Sequence, residues 1–297
     1  MSRIKKISSN KWTKKYYINQ VFFNSRLEAQ SINFLKNQNY LNYNEIKKIL
    51  KINYDKKYPL GYVLKTKNEI VGFLGTLFSE RKINNKKYIY CNIHTWIVDD
   101  SHRISSHLLF SSLIKKKCVI TVLSPLEKLC NTFKKMSFDI RKMHYRVVFL
   151  INLFSFFYKN SFQIEKNSLQ IKKKLNKRDW KIYQDHSDSS FIKFIIFNKN
   201  KKSNFSFIVS KIIKKKNYFN VLNILYASNE KFLKKNWELI NKKIFREFKV
   251  FFCGQYFLKE AECILPNNIS LSANFTKKIC VKNLHTNTKF NTIYTEI

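Results

Sequence analysis

Between Gly61 and Val98 the chain reads with a period of two. Gly61–Lys65 and Ile70–Phe78 are apolar runs around Thr66-Lys67-Asn68-Glu69, the pattern of a β-hairpin. A second turn is expected at Asn84-Asn85, because Asn tolerates positive φ. It leads into Tyr88–Val98. There Ile89, Cys91, Ile93 and Ile97 are expected on one apolar face, and Tyr90, Asn92, His94 and Trp96 on the other. A strand buried on both sides has no need of Asn and His together, whereas a strand bordering a cleft does.

Around this antiparallel stretch the period changes to that of helices. Ser25 to Lys36 and Asn44 to Ile52 each place apolar residues on one face, with Asn44 a candidate N-cap. Asp99 to Ser106 is a polar loop, followed by a helix over Ser106 to Lys117 and a strand at Val119–Leu123. Ser124-Pro125-Leu126-Glu127 has the form of a capped helix start, with Ser as N-cap, Pro first and Glu third. That helix is expected to reach about Lys135, and Arg146–Ile151 is the next strand. Helices crossing between strands make this an α/β (α+β) arrangement, a mixed central sheet flanked by helices.

Residues 159–178 read as a polar, Lys-rich linker. Beyond it, Phe191–Phe197, Phe205–Ile213 and Phe219–Tyr226 read as strands, Asn229–Phe248 as one amphipathic helix and Val250–Phe257 as a strand. The last thirty residues carry little pattern. The expected organisation is therefore a domain over 1–158, a linker over 159–178 and a second, smaller α/β domain over 179–297.

Composition narrows the partners. The 297 residues carry a formal net charge of +38, with 44% hydrophobic and 16% aromatic residues, which excludes a disordered basic tail. The charge is even: residues 1–158 hold 29 basic and 9 acidic side chains, residues 159–297 hold 28 and 10. Only 4 Gly and 3 Pro are present, while Lys, Asn, Ile, Phe and Tyr abound. These are amino acids of A/T-rich codons, so the Lys-rich surface is read first as composition and nucleic acid as a less favoured partner. The same scarcity means that each glycine is expected to have a backbone reason. Six scattered Cys without a CxxC pair or Cys/His cluster read as buried thiols, with no metal site. No secretory signal is read at the start, and Val147 to Tyr158 is too short for a membrane span, which needs about twenty residues, so a cytoplasmic location is expected.

Residues 58–138 resemble the GNAT N-acetyltransferase superfamily. The resemblance is carried by YPLGYVLKTKNEIVGFLGTLFSERKINNKKYIYCNIHTWIVDDSHRISSHLLF and then VITVLSPLEKLCNTFKKMSF. Gly72, Trp96, Val98, Arg103, Leu108, Leu109 and Phe138 fall in the family's places. The second region fits a degenerate GNAT-like repeat, as in tandem GNAT families. The family's pyrophosphate loop has small residues where this chain has Ser106 and Leu108. The tyrosine that serves as general acid matches Phe133, and the glycine before Phe138 is Ser137.

What the resemblance implies is acyl transfer from acetyl-CoA or another acyl-CoA to an amine of a small molecule, amino sugar or protein. Ile97, Val98, Arg103, Ser105 and Ser106 would bind the co-substrate, with a backbone N–H near Val98 polarising the thioester carbonyl. His94 would be the base, its type having an unperturbed pKa of about 6.5, and Asn92 and Trp96 would line the acceptor site. Ser124 is the replacement candidate for the missing acid, although capping explains both it and Glu127. His102 and His107 flank the loop and are expected in solvent. Two other readings stay open: a GNAT-derived binding or scaffold protein without activity, and a tRNA-linked aminoacyltransferase of tandem GNAT type.

Overall fold

A computed structural model of the chain describes residues 15–38, 44, 50, 55–83, 86–150, 161–187, 190–215, 219–258, 263–266 and 273–284. The expected helix at Asn44–Ile52 and the turn at Asn84-Asn85 fall largely outside them. The chain forms two compact units, divided between Ile120 and Thr121. The domain boundary expected after residue 158 does not coincide with this division.

The first unit begins with strand β1 (Tyr17–Val21) and helix α1 (Arg26–Asn37). Ser25 caps α1, its Oγ accepting from Glu28 N at 3.2 Å, while the Glu28 carboxylate accepts from Asn24 N at 2.6 Å. Strands β2 (Gly61–Lys65), β3 (Ile70–Ile83) and β4 (Lys86–Val98) follow as an antiparallel meander, and β1 pairs antiparallel with β2. A 3₁₀ segment, Asp100–Ser105, leads into α2 (Leu108–Ile114), and β5 (Val119–Val122) carries the boundary between units. Phe34 and Leu35 of α1 pack with Val21, Val63 and Phe73, and Ile97 joins that cluster.

The second unit opens with α3 (Glu127–Lys135) and β6 (Asp139–Phe149). Then come β7 (Phe162–Glu165), α4 (Ser168–Lys174) and α5 (Lys177–Asp185). These elements occupy most of 159–178, which is therefore not a linker. Asn167 and Asn176 cap the two helices through their side-chain oxygens, which compensates for the lack of apolar pattern. Strands β8 (Ile192–Asn198), β9 (Lys201–Lys215) and β10 (Phe219–Ala227) form a second antiparallel meander. The single helix expected over 229–248 is two, α6 (Glu230–Lys235) and α7 (Trp237–Phe248), because Asn236 leaves the helical path between them. Strand β11 (Phe252–Phe257) runs parallel to β10, and β12 (Ala273–Lys282) pairs with β6, a strand not expected from the sequence. Within this unit the strand order is β12-β6-β11-β10-β9-β8-β7.

The two units repeat one plan. Edge strand, helix, three-strand meander, helix, strand is the order in β1-α1-β2-β3-β4-α2-β5 and again in β7-α4-α5-β8-β9-β10-α6-α7-β11. Each meander is irregular at the same two joints. The first slips near its opening turn, at Leu64/Lys65 and at Phe197/Asn198. The second slips within the last strand, opposite Gly75/Thr76 and at Ile224/Tyr226.

Candidate functional site

The slip in β4 decides the site. Gly75 pairs with Thr95 and Thr76 with Ile93, so His94 is the extra residue of a β-bulge. One extra residue inverts the alternation beyond it. Trp96, expected beside Asn92 and His94, is on the opposite face and stacks edge-on against Phe110 of α2 at 4.6 Å. Ile97, expected with Cys91 and Ile93, instead packs into the α1 cluster. Asn92 stays buried opposite Leu77.

The bulge also explains a glycine. A Cβ on Gly75 would lie 2.3 Å from His94 Cε1 and 2.8 Å from both ring nitrogens, so the imidazole rests directly on the bare backbone. His94 Nδ1 is 2.9 Å from Thr95 Oγ1. That contact occupies one ring nitrogen. Burial pushes the His94 pKa down to about 4, so the ring is neutral at pH 7.

The segment after β4 is wound more tightly than a phosphate-binding loop. Within it His102 N donates to Asp99 O at 2.8 Å and Ser106 N to Arg103 O at 3.0 Å. Arg103 pairs with Asp100 at 2.6 Å, both side chains exposed. Asp99 is held by Gln38 Nε2 at 2.5 Å. Ser106 does not cap α2, which has no side-chain cap; the 3₁₀ turns run straight into it. Ser105 and Ser106 are partly buried in these turns. His102 is buried rather than solvated, its Nδ1 2.9 Å from Tyr16 Oη, whereas His107 is exposed with Nδ1 2.9 Å from Ile104 O.

No family model matches the chain, and no curated protein matches it in sequence. Solved structures do match. A GCN5-related N-acetyltransferase from Anabaena variabilis is similar at 10% identity and a TM-score of 0.60, over 90% of this chain and 72% of that one. Another from Kribbella flavida is similar at 9% identity and 0.56, over 92% and 72%. A probable N-acyltransferase from Enterococcus faecalis is similar at 10% identity and 0.55, over 90% and 72%. The chain has the GNAT fold.

In GNAT terms the two ends of the expected co-substrate site differ. At the β4 end a neutral imidazole sits on a bulge, in a strand whose Val98 packs on the bare backbone of Gly72. At the pyrophosphate end the backbone bonds to itself. The N–H groups of His102 and Ser106 are bonded to the carbonyls of Asp99 and Arg103, and Arg103 is turned to Asp100 in an exposed ion pair. Two glycines that would let phosphate approach are absent, Ser106 and Leu108 standing there.

Ser124, Glu127, Phe133 and Ser137 lie in the second unit. Ser124 is exposed and caps nothing: α3 starts later, at Glu127, with Leu126 at its N-cap position and no side-chain bond. Pro125 lies outside the helix, and Glu127 pairs with Lys278 of β12 at 2.5 Å instead of closing a capping box. Phe133 is buried edge-on against Phe138 at 5.2 Å, a core residue where the family has its acid. Ser137 takes φ 62°, the left-handed backbone that the family's glycine adopts freely. His186 is buried with Nδ1 2.8 Å from Ile182 O, and Asp185 is ion-paired to Lys181.

All six Cys are buried free thiols. Burial pushes Cys118 up to about 11 and Cys280 up to about 12, so neither is a nucleophile near neutrality. Among the described residues no cluster of His, Cys, Asp or Glu could hold a metal ion, and no helix is long and apolar enough to cross a membrane. The signal that could have located the bulge was Gly75 itself, a glycine in a chain with 4, one residue short of the slip.

Proposed function

We propose that the protein is an acyl-CoA-dependent N-acyltransferase that acylates an amine. The observation that carries this reading is His94 on the β4 bulge, resting on Gly75 within a GNAT fold. The acyl-CoA supplies a thioester carbonyl open to attack by nitrogen. His94 Nε2 accepts a hydrogen bond from the acceptor amine and takes its proton as the C–N bond forms; the thioester C–S bond breaks, and the CoA thiolate leaves and takes up a proton from solvent. Thr95 Oγ1 fixes the ring orientation through Nδ1. A pKa near 4 keeps the imidazole in its basic form but makes it a weak base, so its larger part is to orient the amine. Asn92 is the acceptor-side partner; Trp96, turned to Phe110, shapes the site only through α2.

Calorimetric titration with acetyl-CoA and longer acyl-CoAs, followed by thiol release across an amine panel, tests the proposal. Saturable binding and amine-dependent thiol release are expected. No heat at millimolar acyl-CoA overturns it.

The 3₁₀ winding of Asp100–Ser105 favours a second reading, a GNAT-fold binding protein without transfer activity. Under that reading the double variant Ser106→Gly/Leu108→Ala raises CoA affinity from undetectable. A working site binds CoA before any such change.

A further inference from the structure

We infer that the second unit binds single-stranded nucleic acid on the sheet face that carries Phe219, Phe252, Phe149, Tyr256 and Phe275. Cross-strand partners share a face, and side chains alternate along each strand. Phe252 pairs with Phe149, Tyr256 with Tyr145, and Phe275 with Tyr145. These residues therefore lie on one side of β11, β6 and β12. Phe219 of β10 joins them, its ring 5.4 Å from Phe252, which is itself 5.4 Å from Phe149. The result is two aromatic stations on neighbouring strands. Tyr256 is four positions beyond Phe252, which spaces the stations by roughly 13 Å.

These rings meet solvent. Phe275 is 58% exposed and Phe219 47%, and Phe252, Phe149 and Tyr256 are partly so. Large aromatics left open together on a sheet face mark a binding surface. Charge identifies the occupant. By the same alternation Arg141 and Lys277 lie on this face, and its one acidic residue, Asp139, is ion-paired to Arg141 at 3.5 Å. Lys277 Nζ sits 4.4 Å from the centre of the Tyr256 ring. Lys211, opposite Asn223 in the β9–β10 register, points to the same side, since Asn223 is in turn level with Gly254. An anionic chain that also offers flat rings matches both features: phosphates to the lysines and bases to the aromatics. A duplex hides its base faces and does not.

The test uses the full chain and fluorescein-labelled oligouridylate and oligothymidylate of about 12 nucleotides, with a duplex of equal length, read by anisotropy at about 50 and 200 mM salt. Both single strands are expected to bind more tightly than the duplex, and all binding to weaken with salt. Phe219→Ala/Phe275→Ala is expected to lower single-strand affinity by about tenfold or more, since each stacked base contributes substantially. Phe275→Trp keeps it. Lys65→Gln/Lys67→Gln in the first unit, which removes two positive charges away from this face, changes affinity less than about twofold. Absence of binding, equal affinity for the duplex, or an unchanged double alanine variant overturns the inference. A dimer that the double variant converts to monomer in sedimentation also overturns it, because the face is then an interface between copies. The oligonucleotide readout is independent of acyl transfer, so either reading can fail alone.

Discussion

The two units place a bulge in the same strand of the same meander, and the residues on the bulges differ. In β4 the extra residue is His94, over Gly75. In β10 it is Leu225, 4% exposed. A bulge is a backbone device that turns one side chain out of register. It creates chemistry only where that side chain can exchange a proton. Beyond the bulges the units diverge again. After β10, Asn229 Oδ1 accepts from Phe232 N at 3.0 Å and closes the start of α6, whereas after β4 the chain winds into 3₁₀ turns. The fold repeats; the candidate site does not.

The two units are expected to differ most at His94. His94→Ala is expected to lower kcat/KM for amine acylation by about 10²- to 10⁴-fold, the usual span for a positioned acid or base, in steady-state thiol-release assays. His94→Leu, which copies the second unit's residue type, should do the same, and a variant that keeps full activity removes His94 from the mechanism. Leu225→Ala should act on the other axis. It is expected to cost about 2–5 kcal/mol of stability by denaturant unfolding and to leave the activity of folded protein unchanged.

Gly75→Ala tests the support beneath His94. The new methyl has to displace the ring, at a cost of about 1–3 kcal/mol in stability and a loss of activity out of proportion to the unfolded fraction. Acid sensitivity separates the bulges further. The His94 pKa falls from 6.5 to about 4 on folding, so between those values the unfolded chain binds a proton that the folded chain does not. His94 therefore contributes stability above pH 6.5, and that contribution is lost as pH falls toward 4. His94→Gln should flatten this limb of the stability–pH curve, while Leu225→Ala lowers the curve without reshaping it. The smallest effect is expected at Ser137→Gly, which relieves a left-handed serine and should stabilise by about 1 kcal/mol in thermal unfolding.

Much of the fold was legible where local physics dominates. Helix α1 forms where the 3.6-residue period placed it, and the hairpin around Thr66–Glu69 is closed by Thr66 N bonding Glu69 O at 3.0 Å. Strand β4 lies where the alternation placed it. The losses have physical causes. Ser124-Pro125-Leu126-Glu127 has the letters of a capping box, yet Lys278 from β12 takes the Glu127 carboxylate, an interaction distant in sequence. Residues 159–178 lack a hydrophobic stripe, and their short helices stand on Asn caps and on single buried residues such as Ile171. Strand β12 has five polar residues among ten and is recruited by its pairing with β6.

The meander of β2, β3 and β4 and the gathering of scarce glycines along it follow from local properties, hairpin turns, alternation and bare backbone, that the residues carry themselves. Which face each β4 residue serves is set by its pairing with β3. A bulge forms between two strands, and no single strand encodes it. One unpaired residue moved Trp96 to α2 and Ile97 to α1, and laid His94 over Gly75.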